Sequence, residues 1–324
     1  MIRTAICDLF DIKVPIVQAG MGSFTSAELV AAVSNAGGLG SLGAGNRPVG
    51  DLRRQVARIA DLTAGSFAIN HLVTIMDEEA FAATLEAHPR VITLALDHPH
   101  DYVKRAHDVG SLVMHQVTTV QQALDAAERG VDVIIAQGGE SGGYGGTVST
   151  MALVPQVVDA VRPLPVLAAG GISDGRGLAA ALMLGAQGVN IGTRFLASAE
   201  SPIPEGHKQM ILAGKSEDAV KADVWNDIMP LPGAAGYFTV PRALRTPFLD
   251  RWQQHREEAR RQQEQLQGEV MNAMQSGRLH ELMPFAHQTA GAIHDIPTSA
   301  EILSSIVEEA EQALASAAGL VTKA

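Results

Sequence analysis

The stretch Pro165 to Phe195, PVLAAGGISDGRGLAAALMLGAQGVNIGTRF, constrains the fold more than any other. Its apolar run Pro165 to Ala169 stops at Gly170-Gly171, as a buried strand does. Apolar residues then recur at helical spacing from Asp174 to Leu184, with Gly185 as a stop signal. A second apolar run, Gly188 to Ile191, leads into Gly192-Thr193. Both strands thus end in glycine, where backbone N–H groups converge and no Cβ keeps an anion away. Loops after the last two strands of a β/α barrel hold a phosphate in this manner. The plainer reading is that these glycines only turn the chain. Two glycine exits spaced one βα unit apart are more than turning requires.

The preceding residues repeat the same unit. Apolar runs at Val14 to Gln18, Leu39 to Ala44, Ser66 to Asn70, Val91 to Leu96, Ser111 to Gln116 and Val131 to Gln137 read as strands. With the two above they make eight. Amphipathic runs at Ala27 to Asn35, Val49 to Leu62, Glu78 to Glu86, Asp101 to Val109 and Thr119 to Arg129 read as crossover helices. Strands this apolar, each followed by a helix, indicate a parallel sheet covered by helices. Eight units favour a closed (β/α)8 TIM barrel over an open sheet, and no early strand runs into a GxGxxG turn. GGLGSLGAG (Gly37 to Gly45) straddles a strand instead of joining strand to helix.

After Phe195 the alternation ends. The expected organisation is a barrel over 1–199, a smaller helical lobe over 200–290 above the barrel's C-terminal face, and a C-terminal helix within 291–324 that packs back on the barrel. Phe248 to Ala273, charged and glutamine-rich, reads as a solvated helix, with a homodimer contact as the other use of such a face. Tyr237 and Phe238 in PLPGAAGYF are expected to wall the substrate pocket. A net charge of −11 argues against nucleic acid. No run is long enough to span a membrane and no signal pattern opens the chain, so a cytoplasmic location is expected. The single cysteine, Cys7, reads as a small packed residue.

The chemistry-bearing residues all fall at strand C-termini. Gln18-Ala19-Gly20-Met21-Gly22 follows the first strand and would let a flat ring lie against the backbone. Asn70 ends the third strand and His115-Gln116 the fifth. QGGESGGYGG, Gln137 to Gly146, ends the sixth, a composition shaped by close approach to a ligand.

Taken together, PIVQAGMG, SNAGGLGSLGAG, QGGESGGYGG, AAGGISDGRGLAAAL and GVNIGTRF resemble the nitronate monooxygenase (2-nitropropane dioxygenase) family. The likeness runs from about Pro15 to Phe195, with a fainter echo at Gln288-Thr289-Ala290-Gly291. The same fold family includes flavin-dependent enoyl-acyl-carrier-protein reductases and NADH:quinone reductases. The resemblance implies noncovalent FMN in a β/α barrel; in the residues themselves, no carboxylate–histidine cluster suggests a metal site. Carried onto this chain, Gly170, Gly171, Gly192 and Thr193 would hold the FMN phosphate, beside Ala169 at the strand end. Ala19, Gly20 and Met21 would lie along the isoalloxazine. Asn70 and Gln137 would bond its polar edge or the ribityl chain, and Gly142 and Gly143 would allow close approach. Gln116 stands where relatives often carry a lysine.

The main departure is Tyr144. Many relatives read GGH where this chain reads Gly142-Gly143-Tyr144, and their histidine is held to act on the substrate's acidic carbon. A tyrosine, protonated at neutral pH, suits donation of a proton or hydrogen bond. It could equally fill space over the ring. His71 and His115 are the alternative bases near that mouth. The resemblance implies oxidation of alkyl nitronates with O2. Tyr144 and Gln116 move weight toward an NAD(P)H-dependent reductase of an enone, enoyl thioester or quinone. A barrel that binds a phosphorylated ligand without redox chemistry is the reading from another class.

Overall fold

The computed structural model describes residues 2–231 and 239–320. Tyr237 and Phe238 lie outside them. Eight parallel strands form one sheet: β1 (Ile16–Gln18), β2 (Gly40–Gly43), β3 (Phe67–Leu72), β4 (Val91–Ala95), β5 (Leu112–Val117), β6 (Val133–Gln137), β8 (Val166–Ala169) and β9 (Gly188–Ile191). β1 pairs with β9, and a single parallel bridge, Val17 to Leu39, joins β1 to β2. The sheet therefore closes on itself as a TIM-type barrel, with its helices outside. Among the described residues no helix is long and apolar enough to cross a membrane.

Two apolar layers follow from the two-residue period of the strands. Val17, Leu39, Ala68, Met114, Val133, Ile135, Leu167 and Ala169 fill the barrel interior. Ile16, Ile92, Leu94, Val113, Val117, Ile134, Ala136, Val166, Ala168 and Val189 face the helices. A short helix that the sequence reading did not anticipate, Ala5–Phe10, contributes Ile6, Cys7 and Phe10 to the interior cluster. Cys7 is fully buried there, as a packed residue.

The segment after β9 is not purely helical. β10 (Ala219–Lys221) and β11 (Val240–Leu244) pair antiparallel, and β11 pairs in turn with β7 (Gly143–Gly145). β7 lies within the glycine-rich stretch after β6, so the lobe shares a three-stranded sheet with that stretch. The expected single helix from Phe248 to Ala273 is three: Pro247–Gln254, Arg256–Arg261 and Gln263–Gln275. They pack with Val224, Trp225 and Ile228 into a core of their own. The last helix, Ser299–Ala318, opens with a capping box between Thr298 and Glu301. Its Ile302, Leu303 and Ile306 join the barrel's outer layer, and Glu309 accepts from the Gly175 amide at 3.0 Å.

Candidate active site

Strand parity sorts the sequence candidates. On β5, Met114 faces the interior while Val113 and Val117 face the helices. Gln116 therefore points in and His115 points out. The Nε2 of Gln116 donates to Oε1 of Gln137 at 3.1 Å, which brings the ends of β5 and β6 together inside the mouth. Asn70 likewise alternates inward with Ala68. A Cβ on Gly20 would lie 2.3 Å from the Asn70 Cβ and 3.0 Å from Ser41 Oγ, so only glycine fits there. Gly192 faces Met21 and Ala19, at 3.3 Å from the sulfur and 3.9 Å from the Ala19 Cβ for a Cβ built on it. The first-strand loop, Asn70, Gln116, Gln137 and Gly192 thus border one mouth.

The two histidines do not. His115 is fully buried on the helix side of β5, and burial drives its imidazole down to about 3. His71 lies on the helix side of β3, where its Nε2 meets Thr84 Oγ1 at 2.8 Å and its ring meets Phe81 edge-on. Burial takes it down to about 4. The placement of His71 and His115 as bases at the mouth is corrected by strand parity. One residue more or less along each strand would have turned them inward.

At the ends of β8 and β9 the geometry suits an anion. Gly170 and Gly171 have φ of +92° and +71°, the left-handed region that glycine enters without strain. A Cβ on Gly170 would stand 2.9 Å from the Gly138 carbonyl and 3.1 Å from the Ser141 amide. Among the described residues no acceptor takes the amides of Gly170, Gly171, Gly192 or Thr193. Thr193 Oγ1 accepts from the His287 amide at 3.1 Å, leaving its hydrogen free to donate. The carboxylate of Glu140, beside Gly171, is engaged by the amide and hydroxyl of Thr150.

Three polar groups that the sequence reading passed over complete the picture. Ser41 Oγ, Thr93 Oγ1 and Ser141 Oγ are buried without a partner among the described residues. A buried hydroxyl left unpaired costs free energy, so groups of this kind mark where a ligand belongs. Ser41 and Thr93 alternate inward on β2 and β4, on either side of Asn70. Ser141 lies 2.5 Å from a Cβ built on Gly145 and next to Gly170. No local pattern marks a serine or threonine of this kind; for Ser41 and Thr93 only the parity of an assigned strand does.

Tyr144 sits on β7, opposite Pro241 of β11. Its ring packs with the lobe core, and Trp225 Nε1 donates to its hydroxyl at 3.1 Å. Burial pushes the phenol up to about 12. The oxygen is already accepting, while no acceptor among the described residues takes its hydrogen. The site thus offers a protonated donor and a polar, uncharged barrel lining, with no base among Ser41, Asn70, Thr93, Gln116 and Gln137.

The comparisons agree with this architecture. The nitronate monooxygenase family model matches residues 3–309. A (3aS,4S,5R,7aS)-5-hydroxy-7a-methyl-1-oxo-octahydro-1H-indene-4-carboxyl-CoA dehydrogenase of Mycobacterium tuberculosis is 38% identical over 65% of this chain, a match spanning only 60% of that protein. A probable nitronate monooxygenase of Staphylococcus haemolyticus is 33% identical over 67% of this chain and 74% of its own. The structure of FabK from Thermotoga maritima superposes with a TM-score of 0.90 at 33% identity, covering 99% of this chain and 100% of the other. With a family model covering nearly the whole chain and a barrel shared end to end with such a relative, this protein belongs to the nitronate monooxygenase family.

Proposed function

We propose that the protein is an FMN-dependent oxidoreductase that reduces an activated double bond, with an enoyl thioester as the first substrate class to test. The observation that carries this reading is the Tyr144 hydroxyl, which is kept protonated by burial and accepts from Trp225 while its own hydrogen is uncommitted. One relative supports the thioester: the dehydrogenase is named for a carboxyl-CoA substrate.

The residues fit the cofactor. The amides of Gly170, Gly171, Gly192 and Thr193 would take the phosphate, with Ser141 Oγ close by. Ser41, Asn70, Thr93, Gln116 and Gln137 offer polar groups to the ring edge or ribityl hydroxyls, and Ala19 to Met21 a backbone surface. FMN, when bound, supplies reversible two-electron hydride chemistry. Tyr144 supplies the proton or hydrogen bond that an alkene acceptor needs as it gains a hydride, and NAD(P)H is the reductant class that restores the electrons. The neutral glutamine pair at the mouth provides no fixed positive charge.

A second reading is oxidation of alkyl nitronates with O2, the activity in the family's name. What favours it is the want of a base on the inward strand positions: a nitronate arrives already deprotonated. Anaerobic mixing of the purified yellow protein separates the two. Bleaching by NADH or NADPH followed by recovery on adding an enoyl-CoA is the expected result. Bleaching by ethyl nitronate alone, with no response to either nicotinamide, would favour the second reading. A folded protein that neither carries nor takes up flavin overturns both.

A further inference from the structure

Within the glycine stretch after β6, the Glu140 carboxylate accepts from the amide and hydroxyl of Thr150, and the Gly139 amide donates to the Val148 carbonyl at 2.6 Å. The strand of this stretch, β7, is Gly143-Tyr144-Gly145, with Gly143 at φ +65°. Its two ends are fastened from the lobe as well, by cations. Arg242 of β11, only 8% exposed, sends Nε and Nη2 to the Gly139 carbonyl at 3.3 and 2.9 Å and Nη1 to the Ala219 carbonyl of β10. Lys221, paired with Arg242 across the sheet, sends Nζ to the Gly145 carbonyl at 3.1 Å and the Val240 carbonyl at 2.8 Å. Gly139 and Gly145 bracket Tyr144.

Placing two cations side by side among carbonyls is unfavourable in itself. Burial, and then the charge of Arg242, bring the Lys221 ammonium down to about 8, against the opposing pull of Asp223 and Glu140. Burial also lowers Arg242. No carboxylate among the described residues forms an ion pair with either cation to offset that cost. What the arrangement does gain is one fixed geometry: both ends of the glycine stretch tied to the sheet that also brings Trp225 to the Tyr144 hydroxyl.

From this placement we infer that Lys221 and Arg242 are positioning residues for Tyr144, fastening the glycine stretch to the lobe so that the seating of the lobe and the aim of the Tyr144 hydroxyl are one event. The inference rests on the reading of Tyr144 as donor. Small misplacements of a reacting group are enough to cost a large factor in rate. Lys221→Met keeps the aliphatic stem and removes the donor, and Lys221→Arg restores a donor.

The test is a double-mutant cycle on the FMN-loaded enzyme, Lys221→Met against Tyr144→Phe, with FMN content and amide exchange of residues 143–145 measured alongside. Lys221→Met is expected to lower kcat about tenfold with KM and FMN content nearly unchanged, to speed exchange at Gly143 to Gly145, and to be rescued by Lys221→Arg. In the Tyr144→Phe background the same change should cost nothing further. Equal losses in both backgrounds would mean that Lys221 acts on something other than Tyr144, and would overturn the inference. If Tyr144→Phe runs at the wild-type rate, the donor reading fails by itself; unchanged exchange at residues 143–145 in Lys221→Met then rejects the fastening as well. Arg242→Lys, which cannot span the Gly139 and Ala219 carbonyls together, serves as the second variant should Lys221→Met fail to fold. It is expected to reproduce the loss in kcat, and a wild-type rate would count against the inference.

Discussion

The indole Nε1 of Trp225 and the hydroxyl of Tyr144 meet at 3.1 Å, joining the lobe core to the glycine stretch of the barrel. A tryptophan N–H only donates, so it fixes the tyrosine oxygen as acceptor and turns the phenolic hydrogen elsewhere. Trp225 is itself held edge-on by Phe285, with ring centroids 6.0 Å apart. Tyr144 is therefore oriented from the lobe, not by its own loop.

Tyr144→Phe keeps the ring in the lobe core and removes only the hydroxyl. If that hydroxyl donates a proton in the rate-limiting step, turnover of an enoyl thioester should fall about 10²–10⁴-fold. Flavin reduction by NAD(P)H should be little changed, because that step takes no proton from Tyr144. Steady-state turnover and single-turnover bleaching, measured on one preparation, separate the two steps. A wild-type rate with every acceptor would leave Tyr144 as a space-filling residue.

Gly171→Glu tests the anion corner. The position has φ of +71° and a built Cβ would lie 3.3 Å from that of Glu140, so the variant brings strain and a second carboxylate to the place assigned to a phosphate. The expected product is folded but colourless. Absorbance after gel filtration reads the FMN content and circular dichroism the fold. Stoichiometric FMN in this variant would remove the phosphate from Gly170 and Gly171.

The barrel was legible in the sequence because its signal is local and repeated. Ala27–Asn35, Val49–Leu62 and Glu78–Glu86 have as their helical bounds the residues at which the apolar periodicity starts and stops. Glycine exits were legible because left-handed backbone leaves a residue-type signature, as at Gly170. What did not show was which way a residue at a strand end faces. His115 and Gln116 are neighbours, and one slip in parity exchanges the mouth for the helix layer. The β7–β11 pairing was hidden for another reason. It joins residues about a hundred positions apart through a strand of glycines, and no local propensity announces such a pairing.

Thr93→Val gives a signed test of the orphan hydroxyls. Thr93 Oγ1 is buried without a partner among the described residues, so replacing it by a methyl removes an unmet polar group at nearly constant volume. The FMN-free protein should be as stable as wild type or more so. FMN affinity should fall about fivefold to tenfold, the loss of one hydrogen bond of about 1 kcal/mol. Thermal melts of the FMN-free protein and FMN titration give the two numbers. A destabilised variant with unchanged FMN affinity would mean that Thr93 serves the fold alone.

Acid should unfold this protein through its histidines before its carboxylates. Burial lowers His71 and His207 to about 4, and His115 and His287 to about 3. Each is a base whose folded value lies below the unfolded one of about 6.5. The unfolded chain therefore binds protons that the folded chain refuses. The stability these groups contribute is complete above about pH 6.5 and is lost as pH falls from there toward 3 to 4. Each histidine is worth up to about 1.4 kcal/mol per pH unit within that window, so four acting together remove several kcal/mol between pH 7 and pH 5. That is a large part of an ordinary domain's stability of about 5–15 kcal/mol. Urea midpoints at pH 7, 6 and 5 measure the fall, and its steepness gives the number of protons taken up. His71→Gln, which keeps a polar group near Thr84, should lower that number by one and leave turnover unchanged if His71 is outside the chemistry. A midpoint that does not move between pH 7 and pH 5 would show that these imidazoles are not held neutral by burial, and would reopen the placement of His71 and His115 on the helix side of the barrel.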